Sequence, residues 1–373
     1  MSKIKKIIII GGGLSAWSIA NSFSNKKNID IILINKKHVP LGAQQLSPNG
    51  LQSFVSLIGN RDIDHLFETI NNFKISLIDK NKINVLSNYN LDKNNNIYGS
   101  ISRNSLINEL KKSALKSTNL TILKDEVKFL LKKNIGNTQI ITAKGNLLEA
   151  DIIFGADGYA GKSRNYVCGN EYKYQKRVFR SISLDPKKFS LTKSILQVFL
   201  TRYGHFVIYP FKENKKNLVN YIFVPNKSFQ DDPSNLQIKN FHPLFEEINW
   251  DKTYFIDSDE NFSSIFKNNV FLFGDAALPI QPHLAQAGNQ ILDDAVYLKQ
   301  LIQTNLDREF IISNFVEKRL IEKKLLKKYS SVAGKFLSSN NILSIPRNFI
   351  ISKLSNELFD YIFSLIRNNN NEK

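Results

Sequence analysis

Ile7-Ile8-Ile9-Ile10-Gly11-Gly12-Gly13-Leu14-Ser15-Ala16, near the start of the chain, is the stretch on which the reading of the fold turns. A β-branched run closed by glycine predicts a short buried strand over Ile4–Ile10. The small and apolar residues from Leu14 to Phe23 predict a helix directly after the turn, and Ile29–Ile34 predicts a second buried strand. Together these make a βαβ unit, which chain sterics render parallel and right-handed. The glycines fit the G-x-G-x-x-G/A fingerprint of a dinucleotide-binding turn, with alanine in the last place. Gly11 permits the tight turn, Gly13 lets a pyrophosphate approach backbone, and Ala16 keeps helix and strand close. The helix start offers unpaired N–H groups and partial positive charge to phosphates. Gly11, Gly13, Leu14, Ser15 and Ala16 are therefore candidate cofactor-binding residues. These glycines alone leave NAD as a rival ligand.

The expected acid for an adenosine ribose lies about 20 residues further on, at the end of the second strand. Asn35 stands there, followed by Lys36. An amide accepts a hydroxyl hydrogen bond without the charge assistance of a carboxylate. Asn35 is the candidate for that position, and Lys36 and Val127 are further candidate cofactor-binding residues.

Working outward, residues 51–75 read as helical and mixed, and 76–97 as polar strands or loops. Ser105–Leu115 reads as a helix, followed by strands near Leu120–Leu123, Val127–Leu131, Gln139–Thr142 and Asp151–Phe154. From about 172 to 270 polar and apolar residues alternate, as in an antiparallel sheet with one covered face. Val270–Phe273 is again a buried strand, leading to a helix from Asn289 to Gln303. The stretch 308–367 is helical, basic and amphipathic, with Lys323, Lys324, Lys327 and Lys328 and later an apolar run from Leu358 to Ile366. No internal repeat is evident.

At 373 residues the chain calls for two intimately packed domains or one discontinuous domain with an insertion. A single cysteine, Cys168, excludes an intramolecular disulfide framework and a multi-thiolate metal site, and it suits a reducing cytoplasm. His38, His65, His205, His242 and His283 are scattered, with no pair at metal-ligand spacing, so no metal is expected. The net charge of +18 reflects lysine throughout the chain, and no nucleic-acid-binding module accompanies it. No nucleic-acid partner is expected. The apolar run Ile7–Ile10 is too short for a signal segment or a membrane span.

Two later segments name the ligand. Gly155-Ala156-Asp157-Gly158-Tyr159-Ala160-Gly161-Lys162-Ser163-Arg164 follows a buried strand and resembles the GADGxxSxxR motif of the flavin-dependent aromatic hydroxylases, whose type is para-hydroxybenzoate hydroxylase. Gly274-Asp275-Ala276-Ala277-Leu278-Pro279-Ile280-Gln281-Pro282-His283-Leu284-Ala285-Gln286-Ala287-Gly288-Asn289, with Asp293-Asp294-Ala295 after it, resembles the family's GDAAHPxxPxxAQGxNxxxEDA stretch. Leu278 replaces the usual histidine, and Ala287-Gly288 reverses the usual order. Leu41-Gly42-Ala43-Gln44-Gln45-Leu46-Ser47-Pro48-Asn49-Gly50 looks like the GAGIQLSPNG loop of salicylate and 3-hydroxybenzoate hydroxylases. Arg103-Asn104-Ser105-Leu106 matches their HRxxL segment. Gly204-His205-Phe206-Val207-Ile208-Tyr209-Pro210 matches their GHFVHYP strand, with Ile208 for the second histidine.

The resemblance implies an α/β fold: a Rossmann-like FAD-binding domain, an inserted antiparallel β-sheet substrate domain, and C-terminal helices. The boundaries it implies are 1–75, 98–171 and 270–320 for the discontinuous FAD-binding domain. Residues 76–97 and 172–269 would form the substrate-binding domain, and 321–373 the C-terminal helices and tail. It implies tightly bound FAD, contacted also by Gln45, Arg103, Asp157, Gly158, Gly274, Asp275, Gly288 and Asn289, with Asp275 accepting from the ribityl hydroxyls. It implies transient NAD(P)H, O2 and hydroxylation of a small phenolic or aromatic-acid molecule through a C4a-hydroperoxyflavin, in a monomer or homodimer. His205, His283, Pro282 and Tyr209 are the candidate catalytic residues, a histidine near neutrality being suited to deprotonating a phenol. Gln281 and Gln286 are candidate pocket amides, and Arg180 and Arg202 candidate anchors for a carboxylate. Two other readings fit the same residues: a quinone-pathway ring hydroxylase whose basic C-terminal stretch touches an anionic membrane, and an FAD-binding protein without turnover. Favoured over peripheral membrane contact is packing of those helices on the body with their lysines in solvent.

Overall fold

Hydrophobic patterning at the N-terminus resolves into a six-stranded sheet. Its order is Phe266–Lys267, Val270–Leu272, Ile152–Gly155, Lys6–Ile10, Asp30–Ile34, Leu120–Leu123. All pairs are parallel except the edge pair at Phe266–Lys267. The computed structural model describes residues 3–36, 42–59, 61–79, 82–92, 98–134, 136–169, 175–185, 187–188, 192–226, 228–229, 245, 248–256, 264–339 and 343–368. His38, Leu41, His242 and the tail 369–373 lie outside them, as do most side chains of the stretch Leu358–Ile366.

Ile10 pairs with both Gly155 and Ile34, so the loops after three strands leave from one edge of the sheet. In an open parallel sheet that carboxyl edge is where ligands bind. The helix Leu14–Ser22 packs behind this edge with every residue from Ser15 to Ser22 buried. Its small side chains allow it to be enclosed all round. Asn21 Nδ2 donates to the Leu110 carbonyl at 2.8 Å, and Ser22 Oγ to the Ala295 carbonyl at 2.7 Å. These bonds tie it to the helices Arg103–Ala114 and Ala287–Thr304. Below, Phe23, Phe154, Phe271 and Phe315 meet edge to face with centroids 5.2 to 5.8 Å apart, the offset their quadrupoles favour.

The alternating segments form a seven-stranded sheet in the order Asp251–Ile256, Gln175–Ser183, Lys216–Pro225, Gly204–Glu213, Ile195–Thr201, Asn72–Asp79, Lys82–Asn90. It is antiparallel except where Asn72–Asp79 runs parallel to Ile195–Thr201. One face is covered by a cluster in which Phe206 stacks on Phe223 at 4.4 Å and on Phe245 at 4.1 Å. Residues 51–75, read as helical and mixed, hold the rest of the helix Pro48–Ile58 and a short 3-10 turn at Asp64–Leu66, and strands follow at Glu68–Ile70 and Asn72–Asp79. Those later strands are short, and their pairing depends on segments distant in sequence. Ala43–Leu46, Tyr98–Ser102 and Glu68–Ile70 make a small sheet beside them.

The C-terminal part begins with the helix Arg308–Phe315, widens into a π-helical turn over Val316–Leu320, and continues as the helix Ile321–Leu337. The turn brings Arg319 inward, where its Nε donates to Asp294 at 2.8 Å and its guanidinium to Gln290 at 2.9 Å. Lys323 reaches the other oxygen of Asp294. Stripping one partner from such a buried cluster costs about 3–5 kcal/mol. A second buried chain of bonds runs from Ser47 to Asn49 at 2.6 Å and from Asn49 to Asp293 at 2.7 Å, with Ser53 also donating to Asp293 at 2.6 Å. The Ser47–Gly50 loop is thereby fixed to the helix Ala287–Thr304.

Candidate active site

The carboxyl edge of the parallel sheet opens into a groove of about 620 Å³. Gly11 has φ +130, and a Cβ there would strike the Ala156 carbonyl, so only glycine fits the turn. A Cβ on Gly13 would meet nothing within 4 Å, because that backbone faces the groove. Trp17 Nε1 donates to the Gly12 carbonyl at 3.1 Å and holds the turn from below. The helix Leu14–Ser22 starts without a side-chain cap, as does the helix Ala287–Thr304. By contrast the helices Arg103–Ala114 and Arg308–Phe315 are capped by Ser102 and Asp307. Uncapped N–H groups at the groove are what an anionic or electron-rich ligand edge needs. An exposed glycine backbone at the foot of an uncapped helix fits a dinucleotide pyrophosphate.

Of the candidate cofactor residues, Gly11, Gly13, Leu14, Ser15, Lys36, Arg103, Val127, Asp157, Gly158, Asp275 and Gly288 line the groove. Ala16 is buried behind it. Gly274 packs its backbone against Ser15. Asn35 folds its side chain over Gly12, and its Oδ1 is buried with no hydrogen-bond partner. Asp125 and Glu126 line that end of the groove as well, and Glu126 pairs with Lys36 at 2.9 Å. Residue typing alone missed both acids, because they follow a different strand from the one that ends at Asn35. Asn289 serves the frame: Oδ1 accepts from the Ser47 amide at 3.1 Å, while Nδ2 donates to the carbonyls of Ala285 and Gln45.

The two motif aspartates behave differently. Asp157 accepts from the Ser163 amide at 3.1 Å and from the Ser163 hydroxyl, which folds its loop onto the helix Lys162–Cys168. Burial raises its carboxyl above the ordinary range, against the pull of those Ser163 bonds. Arg164, from the same motif, donates to the carbonyls of Ala276 at 2.6 Å and Ala277 at 3.1 Å, latching this loop to the one after Val270–Leu272. Asp275 lies in that second loop. Burial raises its carboxyl too, and the charges of Lys323, Arg103 and Arg180 oppose the rise.

A second cavity of about 210 Å³ adjoins the seven-stranded sheet. Gln44, Arg103, Asp275 and Ala287 line both spaces, so groove and cavity adjoin at these residues. Gln45 belongs to this cavity, with both polar atoms of its amide buried and without a partner. Tyr209 lines it, and its hydroxyl donates to the Ala43 carbonyl at 3.2 Å. Arg180 lines it as well; burial, with Arg103 nearby, lowers its guanidinium to about 10. Arg202 instead sits exposed over the Tyr203 ring at 4.4 Å.

His205 and His283, far apart in sequence, bring their rings to 5.5 Å. His205 lines the cavity; its Nδ1 is 3.1 Å from Ser338 Oγ, and its Nε2 is buried without a partner. Burial lowers it to about 3, with His283 and Arg347 adding repulsion, so the ring is neutral at neutral pH. Pro282 lines the cavity, while the His283 ring turns toward Gly334 of the helix Ile321–Leu337. Gln281 and Gln286 do not line it. The Gln281 carbonyl accepts from Ser330 at 2.8 Å, and Gln286 precedes the helix Ala287–Thr304. Among the described residues no group of three or more His, Cys, Asp or Glu could hold a metal ion.

No protein-family model matches the chain, and no curated protein matches it. The fold is that of the FAD-dependent aromatic hydroxylases. In particular, the chain is similar to Klebsiella pneumoniae HpxO complexed with FAD and uric acid, at 16% identity and TM-score 0.76, over 93% of this chain and 92% of that one. It is similar to 2,6-dihydroxypyridine-3-hydroxylase from Arthrobacter nicotinovorans, at 17% identity and TM-score 0.75, over 91% and 95% of the two chains. A salicylate hydroxylase substrate complex aligns at 17% identity and TM-score 0.73, over 98% of each.

Proposed function

We propose that this chain is an FAD-dependent monooxygenase that uses NAD(P)H and O2 to hydroxylate a small aromatic acid or phenolate in the cytoplasm. The observation that carries the proposal is that the groove and the cavity adjoin, with Gln44, Arg103, Asp275 and Ala287 lining both. A ring in the cavity would lie next to the residues that line the groove. The division of labour follows the sheets: the parallel sheet and its loops hold the dinucleotide, the seven-stranded sheet holds the substrate, and the C-terminal helices close the back.

In this reading Gly13 and the start of the helix Leu14–Ser22 would hold the pyrophosphate, Asp275 would accept from ribityl hydroxyls, and the amides at Gly288 and Asn289 would donate to the flavin. Bound FAD would supply the activation of oxygen, chemistry that no side chain offers. NAD(P)H, bound transiently, would supply the reducing equivalents. Arg180 and Arg103 draw an anionic ring into the cavity, where their charge favours the deprotonated form of a phenol. His205 lines the cavity, but burial lowers it to about 3, far from the neutrality expected of a base, so it serves as an uncharged hydrogen-bonding partner of the ring and does not take up its proton. Tyr209, held by Ala43, fixes the ring plane, and Pro282 with Ile280 keeps water from the reacting face.

The test is oxygen uptake by the purified yellow protein with NADH or NADPH, with and without aromatic acids and phenols, scored for hydroxylated product against hydrogen peroxide. Substrate-stimulated oxidation with product is expected. No stimulation by any such ring would sink the hydroxylase reading, and a chain that fails to take up FAD would sink the cofactor.

A further inference from the structure

The helix Ile321–Leu337 carries an aliphatic stripe on its outer side as well as a packed inner one. Its buried positions are Lys323, Leu326, Ser330 and Gly334. The polar ones are all engaged: Lys323 with Asp294, and Ser330 with the Gln281 carbonyl at 2.8 Å. Gly334 leaves room for the His283 ring. On the outside stand Ile321 at 66% exposure, Leu325 at 43% and Val332 at 57%. At roughly 100° per residue these three fall within about 40° of each other around the axis. Lys324, Lys328 and Lys335 are exposed along one side of this stripe. Glu322, the sole acid of this helix, is turned away and paired with Arg319. Just beyond, Ile345 at 70% and Phe349 at 61% are exposed one turn apart at the start of the helix Ser344–Asn368.

A surface helix of a globular domain normally turns its apolar stripe inward. Here the inward stripe mixes Leu326 and Gly334 with the satisfied Lys323 and Ser330, while a separate aliphatic stripe faces out. We propose that this face docks on an anionic lipid surface. Aliphatic residues flanked by lysines and free of acids are what such a surface binds, the apolar groups entering the headgroup boundary and the lysines meeting phosphate. A second copy of this chain is a poorer occupant, since a two-fold contact would set these lysines against each other. The net charge of +18 adds long-range attraction to the same surface. Among the described residues no helix is long and apolar enough to cross a membrane, so the contact is peripheral. The inner face of the same helix packs on Gln281 and His283, so docking would set the wall of the small cavity beside the bilayer.

The test is sedimentation of the full chain with vesicles of phosphatidylcholine alone and of phosphatidylcholine mixed with phosphatidylglycerol, at low and high salt. The readout is protein in the pellet, which does not depend on FAD or on turnover. Binding is expected only to the anionic vesicles, with release by salt. At about five-fold per lysine near an anionic surface, the variant Lys324→Glu/Lys328→Glu/Lys335→Glu should partition at least roughly a hundred-fold more weakly. The variant Ile321→Ser/Leu325→Ser/Val332→Ser should keep salt-sensitive binding in weakened form, and all six sites are exposed, so both variants should melt as the parent does. Absence of the parent from anionic pellets, or equal pelleting of parent and lysine variant, overturns the proposal. So does a dimer in sedimentation velocity that the serine variant abolishes while neither protein binds vesicles, for that would assign the face to a second copy.

Discussion

Two loops leave neighbouring strands of one sheet at the same edge, each carrying an aspartate two residues or fewer after a glycine or at its side. The loop after Ile152–Gly155 is closed on itself: Asp157 gives its oxygens to Ser163. The loop after Val270–Leu272 is open: among the described residues nothing donates a hydrogen bond to Asp275, which lines both groove and cavity amid three cations. The difference teaches that a motif aspartate can be a strut or a ligand. Sequence gives both the same letter, while the neighbouring serine decides which it becomes.

The strongest way to break this comparison is to cut the tie between the loops. Arg164→Ala removes a charged donor from two buried carbonyls, at roughly 1.5–3 kcal/mol per bond, so the urea-unfolding free energy should fall by about 3–5 kcal/mol, with FAD uptake lost. A loss under about 1 kcal/mol would mean the loops are independent.

Next in size is Asp275→Asn. Losing a charged acceptor for ribityl hydroxyls is worth roughly 1.5–3 kcal/mol, so FAD should bind about ten- to a hundred-fold more weakly while the apoprotein unfolds no earlier. Fluorescence titration with FAD reads the first effect and urea the second. Unchanged FAD affinity would make Asp275 a strut as well.

Asp157→Asn should do the reverse and less. It weakens a cap-like contact worth about 1 kcal/mol of stability, and FAD affinity should shift only a few-fold. A larger loss of FAD than in Asp275→Asn would invert the comparison.

The smallest effect lies in pH. Burial raises Asp275 above its ordinary value of 3.8, so the folded apoprotein favours the protonated form. That contribution is present below about pH 3.8 and is lost as pH rises through the raised value. Asp275→Asn does not titrate, so its urea midpoint should gain on the parent as pH climbs from about 3.8 toward neutrality. A constant gap would show that the carboxyl is not shifted.

Much of the fold was legible where local pattern and position agree. The strand at Lys6–Ile10, the glycine turn, the helix Leu14–Ser22 and the strand Asp30–Ile34 stand within a residue or two of their reading. Backbone amides and glycines build the groove, and they leave a signature in residue type. The small cavity is made by side chains from strands that pair across long gaps, so its content was less visible. Arg180 could be named only beside Arg202, and what separates them is that one strand residue faces the cavity while the other lies at a hairpin turn. His205 and His283 looked scattered because nothing in their spacing announces that the strand Gly204–Glu213 and the Pro282 loop meet. The resemblance of Ser47–Gly50 to a hydroxylase loop gave its side chains no role, and they brace Asp293.

The wide turn at Val316–Leu320 acts as a frame shift within a continuous helical run. It holds one residue more than an α-helical turn, which rotates everything after it by roughly 100° relative to what precedes. Lys323 meets Asp294, and Ile321, Leu325 and Val332 face outward, only in the shifted phase. Removing a single residue there would return the run to its first phase and carry both faces of the helix off their marks. The length of this segment is therefore held as tightly as the identity of the residues it presents.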